Sequence, residues 1–275
     1  MTQVAIDIWS SEDLTIRDYD IKPSDIAVSG LSKSFDRQKS ILKNIDLDVK
    51  HGEAVALIGS NGAGKSTLLR CILRLIEPSS GSIRLLDSEI TRLKKKDLRK
   101  MRAQVGFVWQ RHNLVPRLSA LTNVIHGSQG RCANPRLWYQ SLAPREIRQE
   151  ALHWLDVLGL ANLADRRVDR LSGGESQRVS IARALMQHPK IMMADEPAAS
   201  LDPIVGEEAM EFFVDLMHNE GLTFLFTSHN LDQALTYSDR VLGLRNGHIE
   251  LNAWSKTLNK NSLRGIYGRT ERLAA

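Results

Sequence analysis

The chain has 275 residues, 42% hydrophobic and 25% charged, which is enough for a packed α/β domain with room for a subdomain. No apolar run approaches the roughly 18–20 residues that cross a bilayer, and the opening Met1-Thr2-Gln3-Val4-Ala5-Ile6-Asp7 has neither the basic nor the apolar region of a secretory signal. The formal charge of +5 admits an anionic partner, and Cys71 and Cys132, too far apart for metal spacing, are expected as reduced thiols in a cytosolic protein.

Residues 1–25 read as a polar, acidic extension with Asp7, Glu12, Asp13, Asp18 and Asp20. The domain is expected to begin with a strand over 26–30. Phe35 follows, and its position alone favours the core. A second strand is expected over 41–49, with a turn at His51-Gly52. Residues 53–58 form a short apolar, β-rich run that reads as a buried strand. Directly after it come Gly59, Ser60, Asn61, Gly62, Ala63, Gly64, Lys65, Ser66 and Thr67, which fit the pattern G-x-x-x-x-G-K-[ST]. Residues 68–76 are apolar at helical spacing. Strand, glycine loop and helix together let backbone N–H groups and the positive end of the helix face phosphate oxygens. Lys65 reaches the β- and γ-phosphates, and the Ser66 hydroxyl can hold Mg²⁺.

A turn at 78–81 leads to a strand over 83–86. The basic run 92–102 predicts a solvated helix with one apolar stripe at Leu93, Leu98 and Met101. It has no interleaved aromatic residues, which argues against single-stranded nucleic acid. Residues 105–110 form another apolar run that ends in Gln110. From 111 to about 170 the pattern turns helical and loop-like, with a helix opening at Pro144 and burying Ile147, Ala151, Trp154, Leu155 and Leu158 on one face. This stretch is the candidate subdomain.

Ser172 and Glu175 have the spacing of a capping box, so Gly173 and Gly174 are expected at a helix N-terminus, a second anion-binding end. Two glycines in a first turn cost helix stability, which argues for close backbone approach to something. Residues 191–195 read as a strand that ends in Asp195 and Glu196. In a parallel sheet such ends face the ligand crevice. Asp195 is then placed to organise Mg²⁺, and Glu196 to take a proton from an attacking water. Asp202-Pro203 is expected as N-cap and first residue of a helix to about 219. A strand over 222–227 delivers His229 to the same crevice. Asn246-Gly247 predicts a closing hairpin, and residues 251–275 are expected as a C-terminal tail, polar from Trp254 onward.

These pieces, in this order, resemble the ATP-binding subunit of an ABC transporter over about residues 26–250. Residues 59–67 match the Walker A loop, Gln110 the Q-loop glutamine, and 171–177 the signature, with Glu175 where many relatives have Gln. Residues 191–196 match Walker B with the catalytic carboxylate. Residues 199–202, ending in Asp202, match the D-loop, with Ala199 in place of the usual Ser. His229 matches the switch histidine, and Phe35 falls where the family has its adenine-stacking aromatic. A narrower likeness, in 195–203, 243–247 and 263–268, is to ATPases of phosphonate, phosphite or hypophosphite importers. The resemblance implies an α/β P-loop NTPase core with an antiparallel β subdomain and an inserted helical subdomain. It implies ATP and Mg²⁺, the latter held by Ser66, Gln110 and Asp195, and catalysis by Lys65, Glu196 and His229. It also implies a homodimer in which Ser172, Gly173, Gly174 and Glu175 act in trans. Two transmembrane permease subunits, docking near Gln110 and 111–140, a periplasmic solute-binding protein acting indirectly, and a peripheral place on the cytoplasmic face of the membrane complete the expectation. No nucleic acid is implied. The competing readings are an exporter subunit with the same engine, a soluble ABC ATPase acting on nucleic acid, and a non-catalytic nucleotide-binding module.

Overall fold

The computed structural model describes residues 23–36, 39–132, 134–199, 201–259 and 263. The expected N-terminal extension up to residue 22, and the expected tail over 260–262 and 264–275, lie outside the described residues. In chain order the elements are β1 (Ser24–Asp36), β2 (Lys39–Lys50), β3 (Ala54–Ile58), α1 (Lys65–Ile72), β4 (Ser80–Leu85), β5 (Ser88–Glu89), α2 (Lys95–Arg102) and β6 (Val105–Val108). There follow α3 (Ala120–Gly127), α4 (Arg145–Val157), α5 (Gly173–Leu185), β7 (Ile191–Asp195), α6 (Pro203–Asn219), β8 (Thr223–Ser228), α7 (Leu231–Thr236), β9 (Arg240–Arg245) and β10 (His248–Trp254).

One sheet has the order β10-β9-β3-β8-β7-β6, and the other the order β2-β1-β4-β5. In the first, β9, β3, β8, β7 and β6 pair in parallel, and β10 closes the edge antiparallel across Asn246 and Gly247, both at positive φ as a tight hairpin turn demands. The second sheet is antiparallel throughout.

The parallel sheet is covered on both faces, which is why its strands read as unbroken apolar runs. Alternate residues divide between two cores. Ala54, Ala56, Ile58, Met192, Ala194, Phe224 and Phe226 pack on the side of α3, α4, α5 and α6. Val55, Leu57, Ile191, Met193, Leu225 and Leu242 pack with α1 and the antiparallel sheet.

Several boundaries differ from expectation. β1 starts at Ser24, two residues earlier than the spacing predicts, and buried Asp25 is anchored by His51 Nδ1 at 2.9 Å and by the Thr223 hydroxyl. β10 runs on to Trp254, and Leu263 is fully buried in the core, so strand pairing and core packing continue past residue 250 at these described positions. α1 stops at Ile72 rather than 76, because Arg74 turns left-handed at φ 49°. The carbonyls just past it are taken by Arg102, whose Nε donates to Leu73 O at 2.8 Å and whose Nη2 donates to Arg74 O. The basic helix is therefore not wholly solvated: Arg102 seals the end of α1, while Leu98 and Met101 are buried.

Candidate functional site

The phosphate loop joins β3 to α1 and opens at the C-terminal edge of the parallel sheet. Ser60, Asn61 and Gly62 are exposed, and Gly64 is the N-cap of α1 at φ 107°, a conformation glycine takes without steric cost. Lys65, Ser66 and Thr67 are the first residues of α1, so the loop's amides and the helix's positive end face one side. Lys65 is only 5% exposed, and its Nζ donates to Gly59 O at 2.9 Å and Ser60 O at 3.5 Å. The same ammonium lies 3.4 Å from Glu196 Oε1.

β7 delivers the two carboxylates. Asp195 is buried and accepts hydrogen bonds through Oδ1 from the Ser66 hydroxyl at 2.9 Å and from the Thr227 hydroxyl at 2.9 Å. Thr227 also accepts the Glu196 N–H through Oγ1 at 2.8 Å. Glu196 sits at φ 48°, an uncommon conformation for a residue with a side chain. Around its carboxylate lie Lys65, the Gln110 amide donating to Oε2 at 3.4 Å, and His229 Nδ1 at 3.5 Å from Oε2. The structure thus brings Lys65, Ser66, Gln110, Asp195, Glu196 and His229 together. Thr227 belongs with them and is not singled out by the sequence. Its link to Asp195 depends on the parallel register that sets residue 195 opposite residue 227, across 32 positions of chain.

Apart from Gly59 and Ser60, whose carbonyls accept from Lys65, the predicted residues Phe35, Ser172, Gly173, Gly174, Glu175 and Asp202 make no hydrogen bond or ion pair to this cluster among the described residues. Ser172 caps α5: its Oγ accepts the Glu175 N–H at 3.3 Å, and the Glu175 carboxylate accepts the Ser172 N–H at 2.7 Å. The capping box is present as the spacing predicts. That backbone hydrogen bond is the leading cause holding the Glu175 carboxyl below its ordinary pKa. Ser172 and Gly173 are exposed at the helix end. A Cβ on Gly174 would lie 3.2 Å from Val205 Cγ1, so the close approach expected of this glycine pair is, at Gly174, an approach to α6. Phe35 is 56% exposed, which corrects its placing in the core; Lys33 Nζ lies 4.8 Å from its ring centroid. Asp202 is the N-cap residue of α6 and Pro203 its first residue, but the Asp202 side chain makes no capping hydrogen bond.

Comparisons with known proteins bear on the family and the fold. Residues 42–199 match the family described as ABC transporter. The chain is similar to Phosphonates import ATP-binding protein PhnC 2 of Oceanobacillus iheyensis, 40% identical over 247 residues, covering 90% of this chain and 97% of that one. It is 41% identical over 247 residues to PhnC of Bordetella parapertussis, covering 88% and 96%. Among solved structures, the dimeric ATP-binding cassette MJ0796, in a post-hydrolysis state bound to ADP and Pi, superposes with a TM-score of 0.72 at 32% identity over 84% of this chain and 98% of that one.

Proposed function

The chain belongs to the ABC transporter family, and from that membership we propose that it is the ATP-hydrolysing subunit of a membrane importer that takes up phosphonates. The substrate class is supported by the names of relatives that align over nearly the whole of both chains. The hydrolytic role is carried by one observation: the Glu196 carboxylate stands at a strand end with Lys65, Gln110 and His229 within 3.5 Å of it.

ATP phosphates meet the amides of residues 59–67, and Lys65 Nζ exchanges main-chain carbonyls for phosphate oxygens. Glu196 accepts the proton of the attacking water, and His229 steadies the γ-phosphate from the exposed side of the crevice. Thr227 holds the Glu196 main chain in its left-handed turn while tying Asp195 in place. A hydroxyl and a carboxylate 2.9 Å apart, with no cluster of three His, Cys, Asp or Glu among the described residues, suit a small hard cation that takes its other ligands from water and phosphate. Ser66, Asp195 and Gln110 would hold Mg²⁺, which when bound neutralises phosphate charge.

The second anion-binding end, Ser172 to Gly174, makes no bond with the phosphate loop of its own chain. It completes the site of a second copy in a head-to-tail dimer. The similar MJ0796 cassette is dimeric in its post-hydrolysis state, which supports this reading. The permease subunits dock beside Gln110, where an open groove of about 390 Å³ is lined by Phe107, Trp109, Asn113 and His126. Among the described residues no helix is long and apolar enough to cross a membrane, so attachment to the cytoplasmic face runs through those subunits. A phosphate-release assay on the chain assembled with its permease and solute-binding protein tests this: a phosphonate should raise turnover, whereas stimulation by an unrelated solute alone contradicts the substrate class.

A further inference from the structure

The turn that carries Gln110 has its own anchor. The His112 N–H donates to Trp109 O at 2.9 Å and the Asn113 N–H to Arg111 O at 2.5 Å, so the chain folds back immediately behind Gln110. His112 and Asn113 are both left-handed, at φ 51° and 48°, a conformation disfavoured for residues with a side chain. The carbonyls that this turn presents are both taken by one guanidinium: Arg183 donates through Nη2 to His112 O at 2.8 Å and through Nη1 to Asn113 O at 2.7 Å. Arg183 lies on α5, whose first turn is the capped Gly173-Gly174 end.

Two features make this link stiff. A Cβ on Gly127 would sit 2.0 Å from Arg183 O, so α3 lies hard against the helical turn that carries Arg183, and only glycine permits it. Among the described residues no carboxylate pairs with Arg183, and burial lowers its pKa; its fork is engaged with main-chain carbonyls instead. His112 adds no opposing charge, because burial first and Arg183 second lower its pKa and keep the ring neutral at pH 7, with Nε2 buried and unpartnered.

We propose that Arg183 is a positioning residue that locks the Gln110 turn to the signature helix, so that a shift of Gln110 in the phosphate site is carried to Ser172 and Gly173 at the exposed end of α5. The inference rests on the proposed place of Gln110 in the hydrolytic site. A lysine donates from one compact point and has no planar fork, so it cannot hold the two carbonyls from two separate nitrogens in fixed geometry as Arg183 does.

The test is a double-mutant cycle on the full-length purified chain, measuring kcat and KM for ATP together with the thermal midpoint of R183K, Q110A and the double variant. R183K should lower kcat about tenfold, within the range of couplings measured between contacting residues, with KM and thermal midpoint close to wild type. The double variant should be no slower than Q110A. Multiplicative losses in the double variant overturn this proposal alone. Wild-type turnover in Q110A overturns both this proposal and the place of Gln110 in the site. Should R183K fail to fold, the same cycle with R183Q, a shorter neutral side chain that also loses both bonds, keeps the outcome decidable.

Discussion

At Glu196 an unfavourable backbone conformation coincides with three polar neighbours. A left-handed glutamate at the end of a buried strand is held there by Thr227, and strain of that kind is tolerated where the surroundings over-determine it. Lys65 and Glu196 face each other at 3.4 Å, so the proposed base and the proposed phosphate-binding cation are already adjacent in the structure. Glu196→Gln keeps the shape and removes the base. Turnover should fall by roughly 10²–10⁴-fold, the usual contribution of a positioned general base, while ATP affinity measured by equilibrium binding stays near wild type. Near-normal hydrolysis in that variant would take Glu196 out of the role.

Among the elements, β3 is the hub: it pairs with β8 and β9 and feeds the phosphate loop. Its entry is pinned by Glu53, whose two oxygens accept from Arg240 Nε at 2.6 Å and Nη2 at 2.9 Å. Arg240 also donates to Asp48 O on β2 and to Asn252 Oδ1 on β10, so one buried guanidinium joins both sheets. Glu53→Ala leaves that guanidinium buried without its hydrogen-bonded carboxylate, with only the half-exposed Asp48 carboxylate 3.7 Å away, and chemical denaturation should show a loss of about 3–5 kcal/mol, as expected for breaking a buried pair. A change under about 1 kcal/mol, the size of an exposed pair, would mean that the pair does not tie the sheets.

What is legible in the sequence at this scale is local. The phosphate loop, the Ser172–Glu175 capping box and the Asn246-Gly247 hairpin are each written in residues a few positions apart, and each stands where the spacing puts it. What stays hidden is non-local. Phe35 reads as core because it follows a strand, yet its ring lies open with Lys33 beside it. Arg102 reads as part of a solvated run, yet its partners are at the end of α1, 28 and 29 residues away. Thr227 and Arg183 matter through bonds spanning 32 and about 70 residues, which no periodicity reports. The ends of β1 and β10 depart from expectation for the same reason, since pairing across a sheet decides where a strand stops.

For the molecule as a whole, the proposed function makes the six clustered residues and the capped end of α5 two halves of one phosphate site that a single chain does not close. Two copies arranged head to tail would close two such sites, and loss of the shared γ-phosphate would open them, which on the proposed function would turn hydrolysis into motion at the groove beside Gln110. The most direct measurement is sedimentation velocity of Glu196→Gln, which should bind ATP without turning it over, with and without Gly173→Asp, which sets a negative charge where the partner's phosphate is to bind. The account predicts that ATP converts the single variant from monomer to dimer, and that the double variant binds ATP but stays monomeric. Equal ATP-driven dimerisation of both would contradict it.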